Sequence, residues 1–437
     1  SRMRVAIHTL GCKVNQYESQ AMEEILTARG HTLVPFEDPA DVYIVNSCTV
    51  TATSDKKSRQ AVRQARKRAP EALVALCGCY PQVSPEDARK IDADLIGGSG
   101  DRLGFLDLLE QMAGGKPQTE PVENLDDPFR RRVFEALPAG GLEGRTRAML
   151  KVEDGCTNFC TYCIIPYARG AVRSLPADQA AEQAKGLARQ GYRELVITGI
   201  ELSTYGRDLP GRPDLASLIE AVCHAVPEMR VRLGSLEPRT VTEDFCARLA
   251  ALPNLCPHFH LSLQSGSDTV LARMKRKYTT QRFLESVRLL RTHFDRPALT
   301  TDLIVGFPGE TEEEFQETLA FLQRCAFAQM HIFPYSRRQG TPAASMPGQL
   351  SNAEKASRAH RGAELAQAME RSWLTGWIGQ TVPVLFEEEK DGFWRGHTPQ
   401  YIEVRVKGEH LHNQLRPVTI TAAGDSLAYG TVKEEQP

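Results

Sequence analysis

Gly155-Cys156-Thr157-Asn158-Phe159-Cys160-Thr161-Tyr162-Cys163 sets three thiols at C-x3-C-x2-C, just after Met149–Val152, an apolar run that reads as a buried strand. Iron–sulfur clusters are held by cysteine thiolates, so three such ligands and no fourth nearby suit a cubane 4Fe–4S cluster with one iron left open to another molecule. A structural zinc knuckle is the alternative reading. Structural zinc takes four closed ligands, however, and this loop offers three.

Working outward, Leu195–Thr198, Val231–Gly234, His258–Leu263, Thr301–Val305 and His331–Phe333 also read as strands, with helical segments between them. Six strand–helix repeats predict a partial (β/α)6 barrel of the TIM kind, over residues 145–374, with its chemistry at the strand C-terminal ends. Upstream, Arg4–Thr9, Val42–Asn46 and Leu73–Leu76 alternate with helices, among them Glu18–Arg29 and a basic helix that Ser54 can cap. That pattern predicts a doubly wound α/β domain over residues 3–120. Residues from about Lys116 to Gly144 are rich in Pro, Gly and charge, and 121–144 read as a linker. Five short strands, Thr381–Glu387, Phe393–His397, Ile402–Val406, Pro417–Ala422 and Leu427–Thr431, predict a small antiparallel β-barrel over 375–437. The fold class is therefore α/β with a β-barrel appended.

A chain of 437 residues has room for about three such domains. The longest apolar runs, such as Ala72–Cys77, are far too short to span a bilayer, and no charged-then-apolar leader opens the sequence. A cytoplasmic location without membrane attachment is expected. Eleven cysteines, an odd number, favour metal ligation over disulfides in such a setting. The net charge of −2 does not point to a nucleic-acid binder. Basic residues are clustered, though: Lys56, Lys57, Arg59, Arg63, Arg66, Lys67 and Arg68 fall together without an acid, and Arg130–Arg132, Arg273 to Lys277 (with Lys275) and Arg337-Arg338 form further groups. Each is either a solvated helix face or part of a phosphate-binding surface.

Tyr162 sits between two of the cysteines, which fits an aromatic position beside a bound nucleoside; a core-facing ring is the other reading. Thr198-Gly199-Ile200-Glu201 ends the second barrel strand, where Gly199 lets a ligand approach the backbone, as a plain turn also would. Glu237 ends the third strand and Gln264-Ser265 the fourth, both rich in hydrogen-bonding groups. Gly309-Glu310 reads as a turn and helix start, and His258 and His260 as packing residues. In the N-terminal domain Cys12, Cys48 and Cys79 each follow a strand, so their side chains converge at the strand C-termini and suit a second cluster. Cys77 competes with Cys79, but strand alternation turns it toward the core. Cys223, Cys246, Cys256 and Cys325 read as buried packing residues.

Taken together, the chain resembles the radical S-adenosylmethionine methylthiotransferases over essentially its full length. The resemblance is carried by Thr9-Leu-Gly-Cys12-Lys-Val-Asn15, Asn46-Ser-Cys48-Thr-Val, Gly78-Cys79-Tyr, and Glu153-Asp-Gly-Cys156 through Cys163-Ile-Ile-Pro-Tyr-Ala-Arg169-Gly. Leu263-Gln-Ser-Gly-Ser267, Val305-Gly-Phe-Pro-Gly-Glu310-Thr and Phe333-Pro-Tyr-Ser336 add to it. It implies a radical cluster on Cys156, Cys160 and Cys163, an auxiliary 4Fe–4S cluster on Cys12, Cys48 and Cys79, S-adenosylmethionine as co-substrate, and a C-terminal TRAM RNA-binding barrel. Gly-Cys-Lys-Val-Asn is similar to the subgroup that modifies N6-threonylcarbamoyladenosine beside the tRNA anticodon. Isopentenyladenosine-modifying relatives usually carry Gln-Met after that cysteine, and ribosomal-protein-modifying relatives Pro-Lys. Two features depart from the pattern: Ser203 stands where many of this subgroup have Gly, and from Thr375 onward acids outnumber Lys plus Arg by nine to six. The second shifts the expected phosphate contacts toward Lys56–Arg68, Arg273–Lys277 and single barrel residues such as Arg395 and Arg405.

The implied reaction inserts sulfur at C2 of that adenosine and adds a methyl group. One S-adenosylmethionine gives its methyl to sulfur on the auxiliary cluster, and another is split to a 5′-deoxyadenosyl radical. The implied partners are the tRNA anticodon stem-loop and an electron-donating reductase; the sulfur source is unassigned. Methylthiolation of isopentenyladenosine tRNA or of a ribosomal protein is the nearest alternative. A non-catalytic iron–sulfur RNA-binding protein is the alternative from another class.

Overall fold

The computed structural model describes residues 1–115, 120–140 and 145–434. The N-terminal sheet is built from β1 (Arg4–Thr9), β2 (Thr32–Leu33), β3 (Val42–Ser47), β4 (Leu73–Gly78), β5 (Leu95–Gly97) and β6 (Val122–Asn124), in the order β2-β1-β3-β4-β5-β6. All its pairs are parallel. Its strands read as unbroken apolar runs because both faces are covered. Helix α1 (Lys13–Ala28) buries Met22 and Leu26 on one face, and α2 (Ala52–Arg68) buries Ala61, Val62 and Ala65 on the other. Strand order reverses at β1, so the crevice for ligands lies at the C-terminal ends of β1 and β3.

Three local expectations are corrected here. Helix α1 starts at Lys13 rather than Glu18, since Gly11 and Cys12 turn the chain straight from strand to helix. The cap of α2 is Thr51, whose hydroxyl accepts the Ser54 N–H, so Ser54 lies inside the first turn. Val122–Asn124, at the start of the expected linker, is instead the edge strand β6, which pairs with β5. Part of that linker, residues 116–119 and 141–144, lies outside the described residues.

The central unit carries β7 (Arg147–Asp154), the short antiparallel β8 (Arg173–Ser174), β9 (Glu194–Gly199), β10 (Arg230–Leu233), β11 (His258–Gln264), β12 (Ala298–Val305) and β13 (Gln329–Pro334). Six of these strands form the partial barrel as two parallel sheets, β10-β9-β7 and β11-β12-β13. Among the described residues two isolated bridges, Val231–Leu255 and Leu236–Leu261, tie the β10 side to β11 and the segment before it. Alternation sends Leu150, Val152, Leu195, Ile197, Val231 and Leu261 outward into the core under the helices. The residues between them, Arg147, Met149, Lys151, Val196, Arg232, His258 and His260, face the lumen, which is unusually polar.

The C-terminal strands β14 (Thr381–Lys390), β15 (Phe393–His397), β16 (Glu403–Val406), β17 (Leu415–Ala423) and β18 (Ala428–Val432) close into a barrel in the order β14-β15-β16-β18-β17. Its pairs are antiparallel except β16–β18, which is parallel and closes the ring. This barrel plugs the N-terminal end of the central lumen. The Tyr401 ring stacks on His397 and His258, with ring centroids 4.3 and 5.6 Å away, and takes the guanidinium groups of Arg147 and Arg232 on its faces. Among the described residues no helix is long and apolar enough to cross a membrane.

Candidate functional site

Cys12, Cys48 and Cys79 stand at the C-terminal ends of β1, β3 and β4, around the crevice that the strand order predicts. Asn15 fixes this corner: its side-chain N–H groups donate to the carbonyls of Leu10 and Ser47, both at 2.7 Å. Gly11 (φ +96°) and Gly78 (φ +101°) bring the loops together. A Cβ on Gly11 would lie 2.8 Å from the Cys48 sulfur, and one on Gly78 2.5 Å from the Ser47 carbonyl. Burial pushes the Cys48 thiol up to about 11, with Cys79 and Cys12 adding to the effect. Burial also raises Cys79, against the pull of Arg169. Cys77 points the other way, into the core with Val5 and Met22, and its thiol faces Asn46.

Cys156, Cys160 and Cys163 follow β7. The Cys156 N–H donates to the Gly170 carbonyl at 3.0 Å and the Cys163 N–H to that of Cys160 at 3.1 Å, which curls the loop. Burial drives the Cys156 and Cys163 thiols up to about 12, each with the neighbouring thiols contributing. Arg276 reaches into this loop, donating from Nη1 to the Cys160 sulfur at 3.2 Å and to the Tyr162 hydroxyl at 3.3 Å.

Both trios fit a cluster. In each, three free thiols stand at strand ends, with Cys48, Cys79 and Cys160 buried, and a cation lies beside them, Arg169 for one and Arg276 for the other, to offset the thiolate charge that metal binding creates. Among the described residues no three His, Cys, Asp or Glu side chains converge on a single ion. Thiolates about 2.3 Å from one zinc would stand far closer together than those spread over a cubane.

A buried ion network joins the trios. Glu18 on α1 accepts from Arg102 (2.9 Å), Arg169 (2.6 Å) and Lys151 (3.1 Å), and Asp154 lies 3.5 Å from Arg169 and 3.3 Å from Arg173. Removing charges from water is costly unless they are paired, and every member is paired here, although the buried Nε of Arg169 has no hydrogen-bond partner. Arg169 also donates to Asn15 at 2.9 Å, so one guanidinium links the corner that holds Cys12 to the strand that leads into Cys156. Arg169 and Glu18 were not singled out as site residues from sequence.

The other candidate residues divide. Glu201 belongs to the Cys156 loop: its carboxylate accepts from Asn158 at 3.2 Å, while its own N–H donates to the fully buried Glu153 at 2.7 Å. Burial raises both carboxyls, with Arg276 opposing the rise at Glu201. Gly199 packs directly on Glu153, with Thr198 the residue before it in β9. Gln264 closes β11 beyond a bulge with φ +71°. Glu237 pairs with Arg239 at 2.8 Å, so its carboxylate is already engaged. Ser265 is turned away from the thiols: its hydroxyl accepts the Ser267 N–H and meets Thr318 on the helix behind. The Tyr162 ring packs on the small apolar cluster of Val270, Met274 and Phe307. His260, expected to be a packing residue, lies in the lumen between Asp302 (3.0 Å) and Thr300 (2.7 Å).

The basic candidates divide too. Lys56, Lys57 and Arg63 on α2 are exposed, as is Lys275, while Arg59 leans toward the Tyr80 hydroxyl at 3.5 Å. Arg273 is clamped by Glu314 through two bonds of 2.9 Å. Arg395 is held by Glu388 (3.1 Å) and Glu403 (3.4 Å), and Arg405 by Glu403 (3.3 Å). These three arginines, two of them in the C-terminal barrel, are paired within the protein.

Residues 150–322 match the family model described as the radical SAM superfamily, and residues 4–98 match one described as the uncharacterized protein family UPF0004. The threonylcarbamoyladenosine tRNA methylthiotransferase MtaB of Bacillus subtilis is 38% identical over 96% of this chain and 94% of its own length. The protein of the same name from Thermotoga maritima is 38% identical over 94% and 92%. A tRNA-2-methylthio-N(6)-dimethylallyladenosine synthase from Symbiobacterium thermophilum is 34% identical over 99% and 94%. Among solved structures, the radical S-adenosylmethionine methyltransferase TsrM of Kitasatospora setae shares the fold, with a TM-score of 0.56 at 16% identity over 78% of this chain and 76% of that one. On the full-length similarity to its relatives, the chain belongs to the radical S-adenosylmethionine methylthiotransferases.

Proposed function

We propose that this protein is a tRNA methylthiotransferase that converts N6-threonylcarbamoyladenosine beside the anticodon to its 2-methylthio derivative. The observation that carries the reading is the position of Arg169, between the Cys12–Cys48–Cys79 corner and the turn feeding Cys156, because sulfur insertion needs both thiol sites to serve one substrate. The names of the Bacillus and Thermotoga relatives supply the nucleoside.

In this reading Cys156, Cys160 and Cys163 would hold one 4Fe–4S cluster, with S-adenosylmethionine against Gly199, Glu201 and Gln264, and Cys12, Cys48 and Cys79 would hold the other. Bound there, these groups supply the radical, the sulfur carrier and the methyl group for a C–H to C–S conversion beyond the reach of side-chain acids and bases. The protein's own residues position and insulate. Glu153 fixes the Glu201 backbone, and Glu201 in turn holds Asn158 in the cysteine loop. Arg276 sets a positive charge against Cys160. The ion network around Glu18 locks the N-terminal unit onto the barrel, so neither thiol site drifts from the other.

Three units at residues 3–120, 145–374 and 375–437 follow, the last acting as a TRAM barrel on the anticodon stem-loop. Exposed Lys56, Lys57, Arg63 and Lys275 supply phosphate contacts. A reductase-class electron donor and a cytoplasmic setting complete the reading. Mass spectrometry of tRNA nucleosides from a strain deleted for this gene is the test. Loss of the methylthio-threonylcarbamoyl nucleoside, restored by the gene, is expected. Loss of a methylthio-isopentenyl nucleoside instead would move the substrate to that of the Symbiobacterium relative.

A further inference from the structure

A cavity of 320 Å³ lies where all three units meet, lined by Lys13 of α1, by Arg147, Met149 and Arg232 of the barrel wall, and by Arg395 and Tyr401 of the C-terminal barrel. Its size falls at the lower end of ligand pockets, roughly 300–1,000 Å³. Its charge is uneven. Arg147 and Arg232 share Glu194, Arg147 also holds Glu387 at 2.6 Å, and Arg395 holds Glu388 at 3.1 Å. No hydrogen bond or ion pair engages Lys13 among the described residues. Lys13 is accessible to solvent, yet it stands within electrostatic reach of Arg147, Arg232 and His258 in the lumen. An ammonium group that lines a cavity, with neighbours that are already paired or also cationic, is a site that an anion completes.

We infer that Lys13 is a specificity-determining residue that takes the carboxylate of the substrate's threonylcarbamoyl side chain. This rests on the nucleoside proposed above. Lys13 follows Cys12 directly and lines this cavity, so one stretch of chain joins the cavity to the corner where C2 of the base must react. In a purine, C2 and the N6 substituent leave the ring at separate positions. A base with C2 turned toward the cysteines therefore sends its side chain onward into the lumen, which Tyr401 closes at the far end. The threonylcarbamoyl group ends in a carboxylate and a hydroxyl, whereas a dimethylallyl group carries neither. An anticodon-loop phosphate offers the same anionic chemistry, and the test separates the two.

Fluorescence anisotropy on the cluster-reconstituted full chain, without oxygen, would compare three labelled anticodon stem-loops: one with N6-threonylcarbamoyladenosine, one with its methyl ester and one with unmodified adenosine. The acid is expected to bind about tenfold tighter than either neutral form. Lys13→Met is expected to erase that preference and leave the neutral forms unchanged, while Lys13→Arg keeps it. Iron content confirms that each variant is loaded. A preference that survives in Lys13→Met overturns the proposal, and so does an equal loss on all three RNAs, which would assign Lys13 to a phosphate. Wild-type protein that binds acid and ester alike, both tighter than unmodified RNA, overturns the carboxylate role without use of a variant and leaves the nucleoside reading standing. Wild-type protein blind to all three overturns both.

Discussion

The Arg276 guanidinium donates to the sulfur of Cys160 across 3.2 Å, the one side-chain hydrogen bond to a sulfur of the C-x3-C-x2-C loop among the described residues. Burial works against this cation, and its aromatic neighbours Tyr162 and Tyr278, with Cys160, keep it charged. A positive charge there stabilises the more negative, reduced state of whatever the thiolates hold.

Arg276→Met is therefore expected to lower the reduction potential of the cluster on this loop by tens of millivolts, on the scale where 59 mV is tenfold for one electron. Redox titration followed by electron paramagnetic resonance measures this. Iron content should stay at the wild-type level, and an unchanged potential would remove Arg276 from any tuning role.

The junction between the barrels should respond to acid. Burial opposes ionisation of Glu387, but the hydrogen bond from His397 and the charge of Arg147 hold its carboxyl down to about 2. Its folded value lies below the unfolded value of about 4.3, so its stabilisation is complete above that pH and fades as pH falls toward 2. Up to about 3 kcal/mol is at stake for such a shift, less for the exposure that remains. Glu387→Gln should lower the melting temperature at neutral pH, and thermal melts should show the gap from wild type narrowing below about pH 4.3. A gap that widens in acid would contradict the assignment.

How far the sequence reached depended on whether a feature was local. Cys12, Cys48, Cys79 and Cys156 each come shortly after an apolar run, and Cys160 and Cys163 follow Cys156 at fixed spacing, so strand ends and ligands were legible together. Arg276 was not, because a basic run does not reveal which member turns inward. Lys275 adopts φ +57° after the helix Asp268–Arg273, reversing the chain and pointing Arg276 back at Cys160 while Arg273 stays on the surface with Glu314. Glu18 read as an ordinary position on a helix face. Its partners lie 84, 133 and 151 positions away along the chain, beyond any periodic pattern. Strand β6 escaped notice because three residues at a sheet edge carry almost no apolar signal.

The division of the basic residues predicts where RNA affinity resides. Replacing exposed Lys56, Lys57 and Arg63 together by Gln should weaken tRNA binding and flatten its salt dependence, by a slope of about 0.7–0.9 for each phosphate no longer neutralised. Arg405→Gln, which gives up only an internal pair with Glu403, should leave the slope unchanged. Filter binding across a salt series checks both. A slope change confined to Arg405 would relocate the interface to the C-terminal barrel.

The central claim is that the two thiol sites do different work on one substrate. Cys48→Ala, reconstituted without oxygen and given S-adenosylmethionine, a reductant and threonylcarbamoyl-bearing tRNA, tests it in one reaction when 5′-deoxyadenosine and the modified nucleoside are both quantified. The account predicts that 5′-deoxyadenosine still forms and the methylthio nucleoside does not, whereas Cys160→Ala forms neither. Methylthio nucleoside from the Cys48→Ala protein would contradict it.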